Sequence, residues 1–275
     1  MSMFINGVDD LIENATNKYH EAVEVLKVRD IPTVTSDYPH GSNKWLKIEN
    51  VVCVFIDMKN STQLSAQKHD KSTAAIYEYF TGTAVRMLNL FGASYIDVRG
   101  DGAFGLFNKN KIYHALSSAI TFKSFVQEIV KSNVRIENIQ INCHIGIDQK
   151  TVLVKRVGMK NSGDQNDRQN EVWAGKPVNM ASKLASIGNA NELIVSERVF
   201  AKFKSGDSEF VMRGCGCQNG VYTGKKTDLW APLDLNILGF KNSRNFDFDF
   251  AHVLKSGWCP THGQEFCEGT LGLDE

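Results

Sequence analysis

Apolar and polar residues follow one another along the chain with spacings that predict helices and strands in turn. Between Val8 and Val28, apolar side chains recur at helical spacing, which predicts one amphipathic helix that faces a core or a partner. Proline, glycine and polar residues from 31 to 50 then predict a connector. The run Ile48–Ile56 is typical of a strand buried on both faces, and the polar segment after it would start a helix near Met58. A long periodic segment, Ser65–Leu90, predicts a further helix.

Glycine, proline and a change of period organise the rest of the chain. Gly100-Asp101-Gly102 separates two apolar runs and predicts a hairpin of strands Ala93–Arg99 and Ala103–Phe107. The polar segment Met159–Glu171 predicts a loop, and a helix over Gly175–Ile187 tolerates Pro177 in its first turn. The other predicted elements are two helices, Ile112–Val134 and Ser196–Phe203, and the strands Ile139–Ile147, Val152–Val157, which could pair with it, and Phe210–Met212. This order predicts an α/β (α+β) fold.

Composition excludes several classes of protein. The 275 residues are 42% apolar and 23% charged, enough for a sizeable core in one domain with an extension or in two small domains. Basic and acidic residues number 31 each, which argues against a nucleic-acid partner. The longest apolar run, Val51–Ile56, is far shorter than the ~20 residues that span a bilayer. Residues 1–13 lack a secretory signal, so we expect a cytoplasmic protein without a membrane span.

Two carboxylates occupy strand ends that lie far apart in the sequence. Asp57 follows the first buried strand and Asp101 lies in the glycine turn. If neighbouring strands bring them together, this pair of hard oxygen ligands suits Mg²⁺ or Mn²⁺. Asn60, Ser61 and Thr62 would begin a helix whose N–H groups and hydroxyls could cradle phosphates. Spacing alone is equally compatible with a helix cap and a hairpin residue that share no role.

Three segments together resemble the class III nucleotidyl cyclases. They are VFIDMKNST at 54–62, RGDG at 99–102 and WAGKPVNMASKL at 173–184, and they occur in the order and context of that family. The resemblance covers roughly residues 48 to 215. It implies a ferredoxin-like α/β catalytic domain that works as a homodimer with active sites at the interface, and that converts a nucleoside triphosphate to its 3′,5′-cyclic monophosphate and pyrophosphate.

The resemblance also assigns roles to single residues. Asp57, Asp101 and the Met58 carbonyl match the two-metal site, where one Mn²⁺ or Mg²⁺ would activate the ribose 3′-hydroxyl and the other would hold the polyphosphate. Asn179 and Lys183 match the ribose-orienting asparagine and the transition-state arginine, contributed by the opposite protomer. Lysine keeps the charge of that arginine but loses its planar bidentate fork. Without the resemblance, the pattern favours Asn179 and Lys183 as ordinary polar positions on a helix.

The position that reads adenine in this family carries Asp97, which is unable to donate to adenine N1. Asp97, Arg99 and Asp101 share one face if the strand alternates, so an arginine and a carboxylate would flank the base, unless they only pair with each other. Phe55 aligns with a base-packing position, and Trp173 stands where purine cyclases have a smaller residue. These residues favour a substrate with a pyrimidine base over one with a purine base.

The amino-acid sequences of these motifs, together with the distal segment WCPTHG at 258–263, resemble those of the pyrimidine cyclases of bacterial Pycsar antiphage systems. That resemblance implies cUMP or cCMP made as a second messenger for antiviral defence and sensed by a separate effector. UTP is favoured as substrate over CTP because the resemblance makes uridylate cyclases the commoner group. A guanylate cyclase and a non-catalytic nucleotide-binding module remain alternatives, and the activating signal stays open.

The C-terminal region carries a second candidate site. Five thiol and imidazole side chains could hold a structural Zn²⁺, with one member of the Cys-x-Cys pair idle, or could be buried thiols and a surface histidine: Cys215, Cys217, Cys259, His262 and Cys267. The expected organisation is an N-terminal helix and connector at 1–47, a catalytic domain at 48–214 and a C-terminal extension at 215–275.

Overall fold

The computed structural model describes residues 5, 7–59, 61, 70–130, 141–159, 168–206, 208–218 and 220–275. Contacts divide the chain into two units, Met1–Ile48 with Val152–Ala174, and Glu49–Thr151 with Gly175–Glu275. The strands are β1 Glu24–Val28, β2 Lys44–Lys59, β3 Tyr95–Arg99, β4 Gly102–Phe107, β5 Asn142–Met159, β6 Arg168–Gly175, β7 Glu192–Ser196, β8 Cys217–Gln218, β9 Val221–Tyr222, β10 Trp230–Asp234 and β11 Phe250–Leu254. The helices are α1 Val8–His20, α2 Asp70–Tyr77, α3 Thr83–Leu90, α4 Ile112–Ser124, α5 Lys176–Ile187, α6 Glu197–Gly206, α7 Glu209–Met212, α8 Phe240–Ser243 and α9 Gly263–Leu271.

The second unit is built around a sheet in the order β10-β11-β7-β5-β2-β4-β3. Its central part follows the chain order β2, α2–α3, β3, β4, α4, β5, which is the βαββαβ arrangement of a ferredoxin-like domain. The predicted ferredoxin-like fold is therefore confirmed. β7 then pairs parallel to β5, and β11 and β10 add antiparallel strands beyond it.

The two faces of this sheet differ because side chains alternate along each strand. In β2, the buried side chains of Val54, Ile56 and Met58 join the core under helices α2–α4. Phe55 and Asp57 point to the opposite face and are half-buried. On that opposite face, α5 packs Met180 and Leu184 against β7 and β11.

The first unit joins β1 to β2 in parallel, with Glu24 opposite Lys44 and Val28 opposite Ile48. β6 pairs with β5. Arg156 forms an ion pair with Glu171 at 3.3 Å, which links these two strands at their side chains.

The hairpin and the helix with Pro177 in its first turn form as predicted, but several other predictions are wrong. The helix expected over Val8–Val28 ends at His20, and no side chain of α1 is buried. Residues 24–28 instead form β1, because their backbone pairs with β2. β2 starts at Lys44 inside the expected connector and continues to Lys59, so Met58 is still in the strand, whereas Ser61 in the expected helix start is helical.

Several predictions for the second half of the chain also differ from the structure. From Asn142 onward, the strands expected at 139–147 and 152–157 are one continuous strand, β5, rather than a pair; residues 139 and 140 lie outside the described residues. The expected loop after Met159 contains β6 from Arg168 onward. Phe210–Met212 belongs to the helical turn α7, whose Val211 is buried. The domain boundaries at 48 and 215 remain predictions; β10 and β11, which follow residue 215, extend the sheet beyond β7.

Candidate active site

Asp57 and Asp101 lie close enough to interact electrostatically. Asp57 is near the end of β2, and Asp101 is in the turn between β3 and β4. Burial raises the pKa of Asp57 from 3.8 to about 6, the charge of Asp101 adds to the rise, and the backbone N–H of Met58 opposes it. Two like charges in a half-buried site destabilise each other, and a divalent cation would remove that repulsion. Because the donor atoms are hard oxygens, the site fits Mg²⁺ or Mn²⁺.

Gly102 allows β4 to approach β2 at this point. A Cβ atom on Gly102 would lie 2.7 Å from the Ile56 carbonyl oxygen and 3.0 Å from Asp57 Oδ1. Gly100 has a φ of 63°, in the left-handed region that favours glycine, and it turns the chain ahead of Asp101. Both glycines of the GDG segment therefore serve the placement of the two carboxylates.

A row of side chains crosses three strands beside the carboxylates. Phe55 is opposite Phe104, and Phe104 is opposite Asp97, so all three share one face. The Phe55 and Phe104 rings stack with centroids 6.5 Å apart and planes 8° apart. Arg99 forms an ion pair with Asp97 at 2.6 Å, and their side chains are 56% and 24% exposed. The pairing that the sequence left open is thus present, and both groups still reach solvent.

Phe104 and Tyr95 belong to this row but were not singled out from the sequence. The ring of Tyr95 lies 6.1 Å from that of Phe104. Strand alternation in the predicted hairpin places Tyr95 on the same face as Asp97, so this alternation could have identified Tyr95 from the sequence. The register that puts Phe104 opposite Asp97 required the tertiary structure.

Helix α5 carries Asn179 and Lys183 one helical turn apart on one face. Asn179 is exposed, and Lys183 Nζ donates to the carbonyl of Asn245 at 3.3 Å. The helix lies directly on β5, because a Cβ on Gly146 would be only 1.9 Å from the carbonyl oxygen of Ala181.

A network of charged residues holds the start of α5, and sequence reasoning missed it. Lys176 Nζ donates to Asp247 at 2.8 Å, and Arg198 Nη1 donates to the same carboxylate at 3.1 and 3.2 Å. Arg198 also binds the fully buried Asp148. These residues come from four separate parts of the chain, so no local motif marked them.

The remaining predicted substrate residues fall in three places. Ser61 is half-buried. Asn60 and Thr62 lie outside the described residues. Trp173 is buried in the first unit, where it packs edge-to-face on Tyr38 with ring centroids 5.9 Å apart.

The C-terminal cluster forms with four of its five predicted members. Ligand atoms of Cys215, Cys217, Cys259 and His262 all lie within 4.8 Å of one another. Both members of the Cys-x-Cys pair belong to this group. Contrary to the prediction, Cys267 is not part of this group: its thiol lies beside the hydroxyls of Ser117 and Thr121, because α9 turns that side towards α4.

Within the described residues, no helix is both long and apolar enough to cross a membrane.

The family model for the adenylate and guanylate cyclase catalytic domain matches residues 44–227. A uridylate cyclase from Propioniciclava tarda is 35% identical over 96% of this chain and 80% of its own length. A uridylate cyclase from Micromonospora echinofusca is 31% identical over 86% of this chain and 74% of its own length.

Among solved structures, the adenylyl cyclase CyaB from P. aeruginosa has a similar fold, with a TM-score of 0.55 and 16% identity over 77% of this chain and 96% of its own. The family match covers more than half of the chain, and it includes the segments that carry Asp57, Asp101 and Asn179. The chain therefore belongs to the family of adenylate and guanylate cyclase catalytic domains, as its motifs predicted, and is a nucleotide cyclase.

Proposed function

We propose that this nucleotide cyclase converts UTP to 3′,5′-cyclic UMP and pyrophosphate. The observation that carries the proposal is the single sheet face on which the interacting carboxylates Asp57 and Asp101 adjoin the Asp97–Arg99 ion pair. Two relatives with over 30% identity are named uridylate cyclase, which supports the choice of base.

The chain's own groups can perform the reaction as an in-line displacement. Asp57, Asp101 and the Met58 carbonyl would hold two divalent ions, which supply Lewis-acid activation of the ribose 3′-hydroxyl and neutralise polyphosphate charge. Lys183 would stabilise the charge that develops as the 3′-oxygen bonds to the α-phosphorus, the hydroxyl loses its proton and the bond to pyrophosphate breaks. Asn179 would orient the ribose, and Asn60, Ser61 and Thr62 would bind the polyphosphate.

Uracil matches the groups beside the carboxylates. Uracil N3–H is a donor between two carbonyl acceptors. A carboxylate supplies acceptor oxygens and a guanidinium supplies several N–H donors. Asp97 would accept from N3–H while Arg99 donates to a carbonyl. The adjacent Phe55 and Phe104 rings provide an apolar contact for the base.

We also infer that two copies of the chain complete each active site. Asn179 is exposed on α5, whereas Met180 and Leu184 on the other side of the helix are in the core. The amide of Asn179 is therefore available to a partner's substrate. The product would act as a second messenger for antiviral defence, sensed by a separate effector, as the resemblance of the cyclase motifs and the distal WCPTHG segment implies.

The test of substrate and chemistry uses the full chain with each of the four ribonucleoside triphosphates and Mn²⁺. Mass spectrometry should identify cUMP as the main product, and Asp57→Asn and Asp101→Asn should each abolish it. Asp37→Asn, an exposed aspartate of the first unit, is the matched control and should keep full activity. Cyclic CMP or cyclic GMP as the main product would contradict the base assignment. UTP binding without pyrophosphate release would indicate a non-catalytic module.

Complementation tests the shared site. Asp57→Asn and Asn179→Ala should each be inactive alone. In a mixed dimer, one of the two sites would contain the intact Asp57 of the Asn179→Ala protomer and the intact Asn179 of the Asp57→Asn protomer. Mixing the two variants should therefore restore activity. If mixed dimers form and stay inactive, both residues act within one chain.

A further inference from the structure

Three thiols and one imidazole converge at the C-terminal end of the second unit, apart from the cyclase motifs. We propose that Cys215, Cys217, Cys259 and His262 bind one Zn²⁺ ion in a closed, four-coordinate structural site. Their ligand atoms lie within 4.8 Å of one another. This site is independent of the identity of the nucleotide substrate.

The distances within the cluster fit a tetrahedral zinc ion. With Zn–S near 2.3 Å and Zn–N near 2.0–2.1 Å, tetrahedral angles place a sulfur and a nitrogen ligand about 3.6 Å apart. His262 Nδ1 lies 3.3 Å from Cys217 Sγ and 3.9 Å from Cys259 Sγ, values on either side of that separation. The imidazole and both thiols can therefore reach one ion with small side-chain adjustments.

The first pair of ligands lies at a bend in the chain that leads into the β8–β9 hairpin. Cys215 and Cys217 flank Gly216, and the bend at this glycine leaves their two thiols within 4.8 Å of each other. Gly216 between them has a φ of 89°, and its carbonyl accepts hydrogen bonds from the N–H and the hydroxyl of Thr223, both at 2.8 Å. These bonds fix the Cys-x-Cys segment before any ion binds.

The second pair comes from the turn that leads into α9. The N–H of Gly263 donates to the Cys259 carbonyl at 2.7 Å, closing the turn and bringing Cys259 and His262 together. The backbone N–H groups of Thr261 and His262 donate to Cys259 Sγ. Such donors stabilise a thiolate ligand and orient it towards an ion.

The chemistry of the donor set selects the metal. Three sulfurs and one imidazole nitrogen are soft or borderline ligands, which favour Zn²⁺ over the hard cations that the aspartate pair would take. All four positions are occupied by protein atoms, as in structural zinc sites. All six cysteines of the chain are free in the structure, so the thiols are available as ligands.

The ion would join two segments that contain little regular structure. One is the β8–β9 hairpin, and the other is the turn after β11, where the fully buried Lys123 donates to the carbonyls of Lys255 and Ser256. Trp258 in that turn bonds to Ser124 Oγ and Thr121 Oγ1 of α4 at 2.7 and 2.9 Å. Zinc would thus fasten the hairpin to a turn that α4 already holds.

The experiment measures metal in the full chain purified under reducing conditions. Elemental analysis should find one zinc per chain in the wild type and none in Cys215→Ser or Cys259→Ser. Cys267→Ser is the matched control: its thiol lies in the same region but faces α4, so this variant should keep its zinc. Co²⁺ exchanged into the wild type should give the visible absorption of a tetrahedral thiolate site.

The wild-type measurements decide the question even if a cysteine variant fails to fold. Absence of zinc together with no tetrahedral Co²⁺ spectrum would overturn the proposal. So would a disulfide between any two of Cys215, Cys217 and Cys259 in the reduced preparation, found by mass mapping of alkylated thiols. Retention of zinc by both folded serine variants would place the metal elsewhere.

Discussion

Arg198 binds both carboxylate oxygens of Asp148, with Nε and Nη2 donating at 2.7 and 2.6 Å, and Asp148 has no exposed side-chain surface. The same guanidinium reaches Asp247, which in turn binds Lys176 at the start of α5. A buried carboxylate is thereby neutralised, and the helix that carries Asn179 is tied to α6 and to the segment before β11.

Replacing Arg198 with methionine should destabilise the protein strongly. The Asp148 charge would stay buried without its partner, a loss of about 3–5 kcal/mol in the free energy of unfolding. Arg86→Met is the matched control, because Arg86 pairs with Glu78 at 3.6 Å on the surface and such pairs contribute about 0–1 kcal/mol. Denaturant unfolding measures both variants; equal losses would contradict the buried role of the Asp148 pair.

Gly146→Ala should separate α5 from the sheet. The new Cβ would lie 1.9 Å from the Ala181 carbonyl oxygen and 2.8 Å from the Ala185 nitrogen, which are backbone atoms of the helix. We expect a loss of about 3 kcal/mol or more in unfolding free energy. Gly272→Ala, with open space around it, should change stability by less than about 0.5 kcal/mol. A folded Gly146→Ala variant of unchanged stability would show that the helix does not lie against the strand.

Gly102→Ala should reduce catalysis. Its Cβ would collide with the Ile56 carbonyl and crowd Asp57 Oδ1, displacing a carboxylate of the proposed metal site. A displacement near 1 Å in such a site costs roughly 100-fold in rate. Gly105→Ala on the same strand meets only side-chain atoms of Leu88 and Ala93, so it should lower stability but keep most of the turnover number. Steady-state rates with UTP would distinguish the two; equal turnover in both would refute the crowding.

Lys183→Ala should lower turnover by roughly 100-fold or more, because in the proposed mechanism it removes the positive charge that would stabilise the transferring phosphoryl group. Lys183→Arg should keep activity, since the guanidinium restores the residue usual in the family. Lys202→Ala, an exposed lysine of α6, is the control for loss of one positive charge. Full turnover by a folded Lys183→Ala variant would remove Lys183 from the catalytic residues.

Stability should fall as the pH drops from 6.5 towards 4 because of His252. Burial lowers the pKa of His252 from 6.5 to about 4, and the charge of Lys204 acts in the same direction. The unfolded chain therefore takes up a proton over this range while the folded chain does not, which favours unfolding.

His252→Phe keeps an aromatic ring on Phe200, which the imidazole stacks at a centroid distance of 3.5 Å, and removes the titration. The variant should lose less of its thermal stability than the wild type between pH 7 and pH 4.5. Parallel losses in thermal melts of the two proteins would rule out His252 as a source of the pH dependence.

Local chemistry made much of the fold and site predictable. The glycines around Asp101 predicted the β3–β4 hairpin, because its turn requires a left-handed residue at Gly100. Helical spacing failed at β1, where Val25 and Leu26 are 48% and 37% exposed and their apolar character does not report burial in a helix. The inclusion of Cys267 failed for a related reason: its position close to the other ligands in sequence did not reveal which way α9 would face.

The motifs and the kinds of ligand atom could be predicted from the residues alone, because turn geometry and strand alternation are local and a metal's preference depends on the type of ligand atom. Three contacts became visible only in the folded chain: Arg198 joins Asp148 to Asp247, Phe104 stacks on Phe55, and Gly146 lies under α5. Those contacts depend on the register of paired strands and on the close approach of helix and sheet, which arise only when distant segments pack together.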